Sequence, residues 1–228
     1  MTPLVLVPGL GSDEAVWRPV IEQLADTASC HVAETRLDDS IANIGVRILA
    51  VAPPRFALAG ISMGGYIALE IMRQAPERVT RLALFDTSAR PDTPEQSAGR
   101  RAAVAALGEA PLEVLSRHSL PQLVAPNAPD HVRDAVVAMG VRVGRDAYAR
   151  QQAANITRID SRPHLAAIAV PTLVAVGEHD TLTPPHLAEE LAGAIPGAQL
   201  HTIAGSGHLP PIERPDAVAA LLRAWLTA

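Results

Sequence analysis

Short apolar runs and longer helical patterns alternate along most of the chain. LVLV at 4–7 is unbroken and β-branched, and PGLGS stops it, as expected of a buried strand. DEAVWRPVIEQLA follows, with Val16, Val20, Ile21 and Leu24 on one helical face. SCHVAE reads as a second strand, and IANIGVRILAVA as a helix that Pro53 and Pro54 end. RFALAGI is a strand leading into MGGYIALEIMRQA, a helix stopped at Pro76, and RVTRLALFD at 78–86 is a further strand. Towards the other end, PTLVAVG and AQLHTIA read as strands, each followed by a helix, PPHLAEELAGAI and RPDAVAALLRAWL. Strands apolar on both faces, alternating with helices, predict a parallel sheet covered on both sides.

The middle breaks this rhythm. Residues 88–165 hold no convincing strand and give three helical patterns. The first opens with TPEQ: Thr93 can cap, Pro94 suits the first helical position and Gln96 can reach back to complete a capping box. PLEVLSRHSL and DHVRDAVVAMGVRVGRDAYARQQ carry the other two. An all-helical stretch between two strands of one sheet reads as a cap, over a core of residues 1–87 and 166–228. The other reading, a separate helical domain, is disfavoured because no long linker flanks it.

Composition narrows the class. With 228 residues, 48% of them hydrophobic, the chain can bury the core of one large α/β domain. The formal charge is −5 and no Lys/Arg block occurs, which argues against nucleic acid and anionic membranes as partners. The longest apolar stretch, at 165–177, is interrupted by Pro171 and falls short of a membrane span. The first residues, MTPLVLVPGLGS, lack the basic segment of a signal peptide, so a cytoplasmic location is expected. Cys30 is the sole cysteine and reads as a small core residue; no Cys/His spacing suggests a metal site.

The candidate chemistry lies in GISMG at 60–64, a G-x-S-x-G pattern placed between a strand and a helix. Such a turn lifts its serine above the sheet at a strained backbone angle, and the flanking glycines supply the clearance. Ser62 is the candidate nucleophile. A hydroxyl needs a base, and the base needs an orienting acid. Asp180, in VAVGEHDTLTPP, and His208, in AGSGHLPPIERP, follow in that order, each in a loop after a strand. Glu178 and His179 beside the acid read as rim and loop residues, while Asp86 at the end of LFD is a weaker rival for the acid. The backbone N–H of Met63 is one expected oxyanion donor, and that of Leu10, between Gly9 and Gly11, is the other. PGLGS lacks the lysine of a phosphate loop, and Glu14 departs from the dinucleotide-binding pattern.

These segments, together with RLALFDTSA and RIDSRPHL, make the chain resemble the α/β-hydrolase superfamily over nearly its whole length, most of all its small enol-lactonase and carboxylesterase-like members. The resemblance implies an α/β-hydrolase fold with a mostly parallel sheet, a Ser62–Asp180–His208 triad and no cofactor. Many relatives carry His before the first oxyanion-loop glycine, where this chain has Pro8. The leading antiparallel hairpin of larger relatives is absent, so about six strands are expected, with a helical cap insertion.

The expected function is hydrolysis of a small or medium carboxylic ester or lactone through an acyl-enzyme. C–C bond hydrolysis, a proton-transfer lyase and a slow-turnover ligand sensor remain alternatives on the same fold. Gly9 and Trp17, with Met63 and Leu10, are the candidate pocket residues, Trp17 being equally a candidate for core packing. Arg100, Arg101, Arg142, Arg145 and Arg150 could meet a substrate carboxylate, although most read as a solvated helix face. The chain is expected as a monomer or homodimer.

Overall fold

Six strands form one sheet in a computed structural model that describes residues 1–108 and 110–227; Glu109 of the expected cap and the terminal Ala228 lie outside the described residues. They are β1 (Thr2–Val7), β2 (Ala28–Val32), β3 (Phe56–Ile61), β4 (Val79–Phe85), β5 (Thr172–Gly177) and β6 (Gln199–Ile203). Their spatial order is β2-β1-β3-β4-β5-β6, and every pairing is parallel. The expected six strands are all present, and the sheet is parallel throughout.

Side chains alternate between two cores, as the two-residue period of a strand requires. Leu4, Leu6, Ala57, Ala59, Ala83 and Phe85 face one side; Val5, Val7, Phe56, Leu58, Leu82 and Leu84 face the other. Helices α1 (Arg18–Gln23), α8 (Pro210–Glu213) and α9 (Pro215–Thr227) cover the first core through residues such as Val20, Ile212 and Leu222. Helices α2 (Ile41–Val51), α3 (Met63–Gln74) and α7 (Pro185–Ala194) cover the second through Ile44, Ile67 and Leu191. The chain leaves β1 towards β2 and returns to β3 on the other flank. That reversal makes the carboxyl ends of β1 and β3 the topological switch point, the usual ligand position in open α/β sheets.

Between β4 and β5 the described residues form helices and no strand: α4 (Pro94–Ala106), α5 (Leu112–Leu123) and α6 (Asp130–Ile156). The expected capping box is present. Thr93 Oγ1 accepts from Gln96 N at 3.2 Å, and Gln96 Oε1 accepts from Thr93 N at 3.0 Å. Two local expectations need correction. The helix expected across DEAVWRPVIEQLA is split into a short 3₁₀ turn, Glu14–Val16, and α1, with Pro19 in the first turn of the second piece. The pattern expected as one helix from Asp130 kinks at Gly144, whose φ of 78° and ψ of 166° leave the helical region.

This helical insertion is anchored to the sheet. Leu120, Val124, Val132, Val136 and Met139 join the core shared with α1 and α9. The nearly buried Asp92 carboxylate accepts from Arg100 Nε at 2.7 Å and pairs with Arg158, whose guanidinium lies 4.3 Å over the Tyr66 ring of α3. Loss of one member of this buried set would strand the others' charges, at a cost of about 3–5 kcal/mol.

Candidate active site

Ser62 sits in the turn from β3 to α3 with φ 55° and ψ −119°, a conformation that costs a side-chain-bearing residue about 1–3 kcal/mol. Its surroundings show why the motif needs glycine. A Cβ on Gly60 would lie 2.2 Å from the Gly64 carbonyl oxygen, and one on Gly64 would lie 2.1 Å from that of Val7. One on Gly65 would strike the Thr87 side chain at 2.4 Å. The turn is held from below: Ser62 N–H donates to Phe85 O at 3.0 Å, and Thr87 Oγ1 donates to Ser62 O at 2.8 Å.

Three distant segments converge here. His208 Nε2 lies 2.9 Å from Ser62 Oγ, and His208 Nδ1 lies 2.8 Å from Asp180 Oδ2. With the Nδ1–H directed at Asp180, Nε2 is the acceptor for the serine hydroxyl. The Asp180 carboxylate accepts further bonds from Leu182 N (2.8 Å), Thr183 N (3.0 Å) and Thr183 Oγ1 (2.6 Å). Burial opposes its ionisation, but the bond and charge of His208, with the Thr183 donors, overcome this and hold its carboxyl at about 2. Asp180 is therefore an anion at neutral pH.

The His208 loop is fastened by a residue that the sequence patterns did not single out. The buried Glu213 carboxylate accepts from Gly207 N (3.0 and 3.1 Å) and Leu209 N (3.1 Å), the residues on either side of His208. It also accepts from Ser206 Oγ at 3.2 Å and from Ala125 N, in the insertion, at 2.7 Å. His208 N in turn donates to Leu123 O at 3.2 Å. The helical insertion and the histidine loop thus share one buried clasp. Its only trace in the sequence is an acid five residues after the histidine; Thr183, three after Asp180, is a comparable signal.

The loop after β1 runs beside the serine. A Cβ on Gly9 would lie 3.2 Å from Ser62 Cβ and 3.8 Å from Oγ, so a side chain there would occupy the approach to the hydroxyl. Among the described residues, the N–H groups of Leu10 and Met63 donate to no protein acceptor. Gly11 takes a left-handed φ of 66°, and its N–H donates at 2.9 Å to Oε1 of the fully buried Gln151 from α6. Gln151 Nε2 donates to Thr35 Oγ1 at 3.2 Å, tying the loops after β1 and β2 to the insertion.

Other candidates fall elsewhere. Trp17, open to pocket lining or core packing, is wholly buried, with its ring edge-on to Phe85 at 5.7 Å between centroids; it packs the core beneath the site rather than reaching substrate space. Among the arginines, Arg142 pairs with Asp13, Arg100 with Asp92, and Arg145 and Arg150 donate to the carbonyls of Ala110 and Arg36. Asp86 does not contact the imidazole Nδ1, which is bonded to Asp180 and near Thr183. Glu178, as expected of a rim group, is satisfied by the N–H of Gly205 at 2.8 Å. Cys30 is half-buried on β2, and burial pushes its thiol up. No helix among the described residues is long and apolar enough to cross a membrane.

A strand–serine–helix elbow at the switch point of a parallel sheet, with an imidazole and a carboxylate lined up behind it, is the architecture of the α/β-hydrolase fold. The chain belongs to that family: the model of the alpha/beta hydrolase fold matches residues 35–215. A pimeloyl-[acyl-carrier protein] methyl ester esterase of Aliivibrio salmonicida is 26% identical over 238 residues, covering 98% of this chain and 91% of the relative. A thermophilic esterase from Thermogutta terrifontis superposes with a TM-score of 0.91 at 28% identity, over 100% of this chain and 90% of that one. The enol-lactonase from Burkholderia xenovorans LB400 superposes at 0.87 with 26% identity, over 100% and 92%. The chain is thus a hydrolase-type member of the family, similar to its esterases and lactonases.

Proposed function

We propose that the protein hydrolyses small or medium carboxylic esters or lactones, with Ser62 as nucleophile, His208 as base and acid, and Asp180 as the group that orients and charge-balances the imidazole. The observation that carries this reading is the continuous chain of 2.9 and 2.8 Å contacts from Ser62 Oγ through His208 to Asp180. His208 Nε2 removes the hydroxyl proton as Oγ attacks the carbonyl carbon. The Leu10 and Met63 N–H groups receive the developing oxyanion. His208 then protonates the leaving alkoxide, and a water activated by the same imidazole releases the acid and restores the serine. Asp180 stays ionised throughout and favours the imidazolium that forms in each half-reaction.

Residues 88–165 act as a cap over the core formed by 1–87 and 166–228, with Gly9 bordering the acyl position; the Met63 side chain, expected in the pocket, is wholly buried in the core that α3 covers, so this residue contributes its N–H alone. The neighbours named for a methyl ester and an enol-lactone support oxygen-ester substrates. The test is a series of p-nitrophenyl esters of increasing acyl length, assayed with the wild type and Ser62→Ala. Multiple turnover on the shorter esters, lost by about 10⁴-fold or more in kcat in the variant, is expected. An unchanged rate in Ser62→Ala would overturn the reading.

A further inference from the structure

Asp86, directly after β4, is a buried acid that the hydrolytic scheme leaves unused. Its backbone takes a left-handed φ of 45°, and its side chain is sealed from solvent. Oδ1 accepts the N–H of Gly177 at 2.8 Å, whereas the buried Oδ2 has no partner among the described residues. Asp86, Asp180 and His208 each bring a carboxylate oxygen or ring nitrogen within 4.8 Å of the others.

Two carboxylates this close in a dry setting do not both ionise. Asp180 is the better-supplied anion, with donors from His208, Leu182 and Thr183. Asp86 has a single protein donor, the Gly177 N–H, and its second oxygen is the one placed to carry a proton. Burial first, then the charge of Asp180, push the Asp86 carboxyl well above the ordinary range; Glu213 adds in the same direction, and the Gly177 N–H only partly opposes them.

We propose that Asp86 is a positioning residue, held as a neutral carboxylic acid whose Oδ2–H donates to the Asp180 carboxylate and fixes that group in its orientation towards His208. The catalytic consequence rests on the triad reading above; the protonation state does not. Sequence patterns offer Asp86 only as a competing triad acid, whereas the structure makes it the partner of Asp180.

Two measurements test this. The first is urea unfolding of the wild type and Asp86→Asn between about pH 4, the ordinary aspartate range, and neutrality. An acid that is neutral when folded and ionised when unfolded gives the folded state the extra proton. Relative to Asp86→Asn, the wild-type folding constant then falls about tenfold per pH unit as pH rises. A difference that stays flat over this range overturns the proposal, even if Ser62 proves to be the nucleophile. A sloping one upholds the proton on Asp86, even if none of the esters is cleaved.

The second is the pH profile of kcat/KM with p-nitrophenyl butyrate. Asp86→Ala removes a donor from Asp180, whose charge then favours the imidazolium more. The acid limb moves to higher pH, and kcat falls by about tenfold with the lost charge-assisted bond. Asp86→Asn retains a donor and shifts the limb less. If Asp86 were an anion, both variants would remove negative charge beside His208 and move the limb to lower pH, which contradicts the proposal. Should Asp86→Ala not fold, Asp86→Asn alone decides the direction.

Discussion

Replacing Glu213 should damage stability and turnover together. Its carboxylate accepts from three backbone N–H groups and one hydroxyl, at 2.7–3.2 Å, all in or beside the His208 loop. Each buried donor left without an acceptor costs about 1–3 kcal/mol. Glu213→Ala strands four, but it also removes the desolvation penalty of a buried charge, and solvent can enter the space left. A net loss of about 3 kcal/mol follows. Glu213→Gln is the sharper variant: it keeps the volume but turns an NH₂ towards donors that need an acceptor, so about 2 kcal/mol is expected. Urea unfolding at neutral pH measures both. Because Gly207 and Leu209 flank the histidine, loosening them spoils the Nε2–Oγ alignment. Both variants should lose at least tenfold in kcat, with KM nearly unchanged, at a temperature where each is folded. Glu213→Gln with stability within about 0.5 kcal/mol of wild type, the range of ordinary surface changes, and with normal kcat would refute the clasp.

Gly64→Ala would force a Cβ to 2.1 Å from the Val7 carbonyl oxygen, so this variant should fold poorly or lose more than about 3 kcal/mol, read as soluble yield and Tm. Gln151→Ala frees the Gly11 N–H and the loop that carries Leu10; kcat should fall about tenfold with a modest Tm change, and an unaltered kcat would separate this amide from the oxyanion loop. Asp180 has a folded value of about 2, below the ordinary 3.8, so its contribution is present above about pH 4 and lost as pH falls through about 2. Protonating it should remove up to about 2.5 kcal/mol over that window, and acid unfolding of Asp180→Asn should lack this component.

The parts legible in the sequence are those set by local physics. Strand periodicity, the Thr93 capping box, proline stops and the Gly60–Ser62–Gly64 turn depend on residues close along the chain, and the structure contains each of them. The order Ser62, Asp180, His208 was readable because each follows a strand, and parallel strands deliver their loops to one rim. What the sequence hid depends on long-range contact. Nothing near Glu213 marks it as an acceptor for Ala125, nor does anything near Gln151 foretell Gly11. Trp17 was ambiguous because its place depends on Phe85, far along the chain. The kink at Gly144 has no local signature, because a lone glycine in a helical pattern is compatible with an unbroken helix.

The central claim is that the hydroxyl of Ser62 is an activated nucleophile. Incubating the protein with a fluorophosphonate and mapping the adduct by mass spectrometry tests it without knowledge of the substrate. Stoichiometric modification at Ser62, suppressed in His208→Ala, is the expected result. An unmodified protein, or a label carried by another residue while Ser62 stays free, would contradict it.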